Sequence, residues 1–177
     1  FDGWHIDVTD YIDIDSSYIP TADITLYAKW YPNNKVAEIN GTFYDTLQLA
    51  VTAVPTTNTE TTVRLLKNTS EVLSVIQGQN VILNLQNFTV SNSGTNNVIK
   101  NNGTLKIYNG TITTNTSQGA INNNSTGTLT ITGGRIIATG TRQGIYNDGG
   151  TLKISGNAYI SSIWNFPNEI SKYITIA

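Results

Sequence analysis

Thr104-Leu-Lys-Ile107, Thr128-Leu-Thr-Ile131 and Thr151-Leu-Lys-Ile154 decide the fold. Each alternates apolar and polar side chains with β-branched residues, the signature of a strand buried on one side. Related apolar pairs lie on both sides of these words, at Val63/Leu65, Leu83/Leu85 and Ile174/Ile176, with Leu105/Ile107, Leu129/Ile131 and Leu152/Ile154 between them. Successive intervals are 20, 22, 24, 23 and 22 residues, a period that marks repeat architectures. Five residues after four of the pairs comes a second series, Val90, Ile112, Ile136 and Tyr159. A third follows at Ile99, Ile121, Ile145 and Ile163, each with Asn two positions later: Asn101, Asn123, Asn147 and Asn165.

Three short strands in about 22 residues leave no room for a helix inside the repeat. Hairpins would make neighbouring strands alike, whereas here likeness returns every third strand. The solution is an all-β, right-handed, three-sided parallel β-helix of about six coils, with equivalent strands stacked about 4.8 Å apart. A single coil buries too few aliphatic side chains to offset the cost of ordering its backbone, so each depends on its neighbours. The four asparagines read as a structural ladder at a corner, where Asn tolerates left-handed backbone and its amide bonds from coil to coil. Gly133-Gly134 and Gly149-Gly150 read as further corners.

The end coils need covers. Within Thr42 to Pro55, the residues Leu47, Ala50, Val51 and Val54 recur at helical spacing and Pro55 marks a stop. That pattern predicts a short capping helix near residues 44–54. The β-helix then occupies residues 33–177. Phe166-Pro167-Asn168-Glu169 interrupts the pattern, and the absence of an evident C-terminal cap reads as truncation or as a junction with a further domain. Residues 1–32 do not share the repeat and carry two strand-like runs, Phe1 to Val8 and Ala22 to Trp30.

Composition narrows the chemistry. Charged residues are 12% of the 177, against about 25% in ordinary domains, while Thr, Asn and Ser together number 61. A net charge of -2 offers no broad basic field for nucleic acid, and no apolar run is long enough to cross a membrane as a helix. With no Cys and one His, thiol chemistry and ordinary zinc sites are excluded. Asp7, Asp10, Asp13 and Asp15 lack the Gly and Glu spacing of a calcium loop, and His5 beside Trp4 reads as structural. No catalytic residue, metal site or cofactor is assigned. Between residues 81 and 162 the single acid is Asp148, whereas a β-helix glycosidase needs two carboxylates close together. Outward Thr on the first face would suggest ice binding, but the series Asn84, Lys106, Thr130, Lys153, Thr175 is broken by lysine.

Binding remains. The residue after each third-series Ile points outward, giving Lys100, Asn122, Tyr146 and Trp164. Tyr146 and Trp164 fall on adjacent coils, and an aromatic pair there is a platform for sugar rings or a protein partner.

Phe1-x-Gly-Trp4 followed by Ile24-Thr-Leu-Tyr-Ala-x-Trp30 resembles the second half of the Listeria–Bacteroides repeat, the internalin B-repeat family. The resemblance implies a partial β-grasp-like module over residues 1–32. Thr46-Leu-x-x-Ala50, Val63-Arg-Leu-Leu-Lys67, Val81-Ile-Leu-Asn-Leu85 and Gly144-Ile-Tyr-Asn147 resemble β-helix regions of Firmicutes surface proteins. That resemblance implies a pectate-lyase-like superhelix in a secreted or wall-attached adhesin of a Gram-positive cell, without lyase activity. The implied partners are a host or matrix protein or glycan, and neighbouring domains of a longer surface protein. A rigid non-catalytic spacer or adhesin is the leading expectation. A carbohydrate-binding module built on Tyr146 and Trp164 is the alternative, and a polysaccharide lyase or hydrolase comes third.

Overall fold

A computed structural model describes residues 3–5, 19, 23–29, 32, 34–166 and 174–176. The chain divides into two compact units, Phe1–Asn34 and Lys35–Ala177. In the first, β1 (Gly3–His5) pairs antiparallel with β2 (Tyr27–Lys29), Trp4 opposite Ala28. The side chain of His5, and Asp7, Asp10, Asp13 and Asp15, lie outside the described residues, as do residues 167–169.

The second unit opens with a hairpin, β3 (Ala37–Ile39) and β4 (Thr42–Tyr44). Asn40 and Gly41 join them with φ of 46° and 83°, the left-handed pair that a two-residue type I′ turn requires. That turn commits residues 42–44 to a strand, so the helix begins later than the apolar spacing predicts. It is α1 (Leu47–Ala53), started by Thr46, whose hydroxyl accepts from the Leu49 N–H at 3.0 Å. Leu47, Ala50, Val51 and Val54 are buried, as their spacing demands.

The coils follow. The first is β5 (Glu60–Leu65), β6 (Thr69–Ser70) and β7 (Leu73–Val75). The second is β8 (Asn80–Asn84), β9 (Thr89–Asn92) and β10 (Ile99–Asn101). The third is β11 (Thr104–Tyr108), β12 (Thr111–Thr114) and β13 (Ile121–Asn123). The fourth is β14 (Thr128–Ile131), β15 (Arg135–Ala138) and β16 (Ile145–Asp148). The fifth is β17 (Thr151–Ile154), β18 (Tyr159–Ile160) and β19 (Ile163–Phe166), and β20 (Ile174–Ile176) adds a sixth strand to the first face. Strands order as β5-β8-β11-β14-β17-β20 on the first face, β6-β9-β12-β15-β18 on the second and β7-β10-β13-β16-β19 on the third. Every coil-to-coil pairing is parallel. The fold is a parallel β-helix, with five circuits complete in all three strands.

Inside, like sits over like. Leu73, Ile99, Ile121 and Ile145 form one column and continue to Ile163. The first four are buried, each worth about 1.5–3 kcal/mol on removal from water.

Two registers differ from the reading of the sequence. Leu105 stacks on Val81 and Ile107 on Leu83, so the second coil contributes Val81/Leu83 rather than Leu83/Leu85. A slip of two residues preserves which side chains face inward, so alternation alone could not detect it. Leu85 is itself buried and fills the corner beyond the strand, where its Cβ occupies the space that a side chain on Gly110 would need. The outward first-face column is accordingly Ile82, Lys106, Thr130 and Lys153, with Asn84 one column over beside Tyr108. On the second face Ile160, not Tyr159, stacks on Ile136. The turn before it is one residue longer, and Tyr159 turns outward to lie under the Arg135 guanidinium, 4.5 Å from the ring centroid.

The N-terminal end is closed by hydrogen bonds as well as by apolar packing. The Glu71 carboxylate accepts from the Leu47 and Gln48 N–H groups at 3.1 and 3.0 Å, at the positive end of α1. The Gln79 amide donates to the Val51 and Val54 carbonyls at 2.8 and 2.9 Å. The Gln48 side-chain Oε1 accepts from the Ser74 N–H at 2.7 Å, satisfying a group on the edge strand β7. On the first face β3 pairs antiparallel with β5, and the nearly buried Glu38 meets Arg64 at 3.2 Å.

Candidate functional site

The four asparagines run up the interior of the third face, one per coil. Asn101 Nδ2 donates to Asn123 Oδ1 at 2.7 Å, Asn123 Nδ2 to Asn147 Oδ1 at 2.7 Å, and Asn147 Nδ2 to Asn165 Oδ1 at 2.5 Å. All four are buried. They occupy strands, and none has a left-handed backbone. That conformation falls instead on Asn87, Asn109, Gly134 and Gly156, at the turn from the first face to the second, and on Gly78 and Gly149, at the turn from the third face to the first. The left-handed corner role and the ladder role therefore belong to different residues. The ladder begins at the second coil because Val75 holds the equivalent position in the first.

One residue away the chain faces out. Ser74, Lys100, Asn122, Tyr146 and Trp164 form the outward column. Tyr146 and Trp164 stack with ring centroids 4.4 Å apart and planes 3° from parallel. The strand spacing produces this: residues in register on adjacent coils sit about 4.8 Å apart, close to the ring-stacking distance. The rings therefore cover each other's facing surfaces and present edges sideways. The second face of Tyr146 looks back along the axis toward Asn122.

A cleft of about 100 Å³ opens on that side, lined by Asn97, Gln118, Asn122, Arg142, Gln143 and Tyr146. Four of these, Asn97, Gln118, Arg142 and Gln143, come from the turns leading into β10, β13 and β16. Asn97 Nδ2 donates to the Gly119 carbonyl at 2.8 Å, and the Ala120 N–H to the Gln143 carbonyl at 3.3 Å, which ties the three turns together. The Asn122 Oδ1 is buried and accepts no hydrogen bond among the described residues. Arg142 is exposed at the rim. The apolar periodicity does not single out the turn residues, although a signal is there: an amide or Gly stands two positions before three of the four third-series Ile, at Asn97, Gly119 and Gln143.

A second, wider groove of about 300 Å³ lies on the second face, walled by Ser70, Ser91, Asn92, Thr113, Thr114 and Asn115. It holds hydroxyls and amides and no charge. Among the described residues no three His, Cys, Asp or Glu side chains converge as a metal site, and no helix is long and apolar enough to cross a membrane. No family model, curated protein or solved structure matches the chain.

Proposed function

We propose that this chain is a rigid, non-catalytic segment of a bacterial surface protein, a β-helical spacer or adhesin piece that presents polar faces to a host or matrix surface. A Gram-positive wall is the setting that the sequence resemblances favour. The observation that carries the reading is the unbroken stack of six parallel strands on the first face, wired internally by the asparagine ladder. Such a stack resists extension along its axis through many backbone hydrogen bonds at once. The charge distribution agrees: with Asp148 as the single acid between residues 81 and 162, those coils lack the carboxylate pair that glycoside hydrolysis uses.

Pulling the chain from its ends in a single-molecule force experiment tests this. The expected trace is a series of rips of about 70–80 Å, the extended length of one coil of 20 to 24 residues. Smooth lengthening at low force would remove the mechanical role. Product release from plant or host polysaccharides on long incubation would replace it with the enzymatic reading.

Carbohydrate binding is the second reading, favoured by the Tyr146–Trp164 pair. Because the two rings stack on each other, the surface offered to a sugar is the remaining face of Tyr146 rather than a broad two-ring platform.

A further inference from the structure

We propose that the cleft between Asn122 and Tyr146 is a binding site for one acidic sugar residue, such as a hexuronate at the end of a glycan. This goes beyond the spacer reading, which stands whether or not the cleft is occupied.

Four observations converge. The Tyr146 ring closes one wall, and since Trp164 covers its other face, its cleft-side face suits the C–H face of a pyranose. Asn122 Oδ1 is a buried acceptor without a donor among the described residues. Its side chain lines the cleft, and a turn of the amide that brings this oxygen to a ligand hydroxyl would recover the free energy that the unmade bond costs. Arg142 stands at the rim, a planar donor set matched to a carboxylate.

The fourth is charge. Residues 81–162 hold Lys100, Lys106, Arg135, Arg142 and Lys153 against Asp148, a local balance of +4 in a chain of net -2. Asp148, two residues beyond Tyr146 on the same strand, is the one acid near the site. An anion is therefore drawn to these coils while the rest of the chain repels it.

Size selects the class. About 100 Å³ is well below the roughly 300–1,000 Å³ of pockets that enclose drug-sized ligands. It admits one ring edge-on, with the rest of a glycan leaving through the open side. A peptide C-terminus shares the carboxylate but lacks the hydroxyl donors and the flat C–H face, and the cleft has no separate pocket for its side chain.

The test is an amide-shift titration of the full chain with methyl β-D-glucuronide, methyl β-D-glucoside and acetyl-glycyl-glycine, repeated on Arg142→Gln and Tyr146→Ala. Arg142 is exposed, so its variant should keep the wild-type melting curve. The glucuronide should bind in the millimolar range, with shifts centred on residues 118–123 and 142–147. Arg142→Gln should weaken the glucuronide roughly tenfold and leave the glucoside unchanged, while Tyr146→Ala should abolish both. Equal binding of glucuronide and glucoside to the wild type would overturn the proposal. So would shifts centred on the second-face groove, tighter binding of the dipeptide, or no saturable shift with any probe.

Discussion

Asn123 has the most connected side chain in the interior. It accepts from Asn101 and donates to Asn147 and to the Thr151 carbonyl, the last at 3.0 Å. Asn123→Ala strands a donor on the coil before it and an acceptor on the coil after it, each costing about 1–3 kcal/mol. Urea unfolding should show a loss of about 2–5 kcal/mol, whereas Asn101→Ala, which ends the ladder, should cost about half as much. Gly127 is tied to the same feature. A methyl group there would run into Asn123 Oδ1 and come within 2.7 Å of the Asn101 carbonyl. Gly127→Ala should therefore destabilise by about 1–3 kcal/mol, and an unchanged melting temperature would show that the ladder yields. At this scale the sequence was legible in its periodicity and misleading in its reasons. The Asn spacing located the column, but spacing alone could not tell a left-handed corner from an interior strand, because both favour a small amide.

The capping helix shows what a short element needs from its surroundings. Seven residues are too few for a stable helix in water, and α1 is held by Glu71 at one end and Gln79 at the other. Glu71→Ala and Gln79→Ala should each cost about 1–3 kcal/mol, and hydrogen exchange should quicken first in α1 and in β7, whose Ser74 N–H depends on Gln48. A uniform change across the β-helix would instead mean that the cap and coils open together. Apolar spacing revealed this helix. Its start was obscured because the preceding Asn40-Gly41 turn pairs residues 42–44 with β3, a long-range commitment that a local window does not contain. The two register differences have a similar origin. Leu85 and Tyr159 keep the right periodicity in corners whose lengths vary from coil to coil.

Over the whole molecule, stability should be graded rather than uniform, because each coil touches only its neighbours. Amide exchange should be slowest in β11 and β14, which are paired on both sides, and faster toward β18 and β20, which end their sheets. Equal protection in every coil would mark a single cooperative unit. The architecture was readable because a repeat states the same solution many times. The cleft beside Tyr146 was not, because it is assembled from turn residues of three coils, each unremarkable alone.

The ladder's amides all donate the same way, from Asn101 toward Asn165, and Val75 stands where a further rung would precede them. A duplicated circuit spliced between those limits finds a giver below and a taker above. One carrying valine at that position, set inside the ladder, leaves a donor unanswered below it and an acceptor above. Growth of such a protein over generations is thereby steered toward copies of its amide-bearing circuits, with the valine-bearing circuit kept at the head.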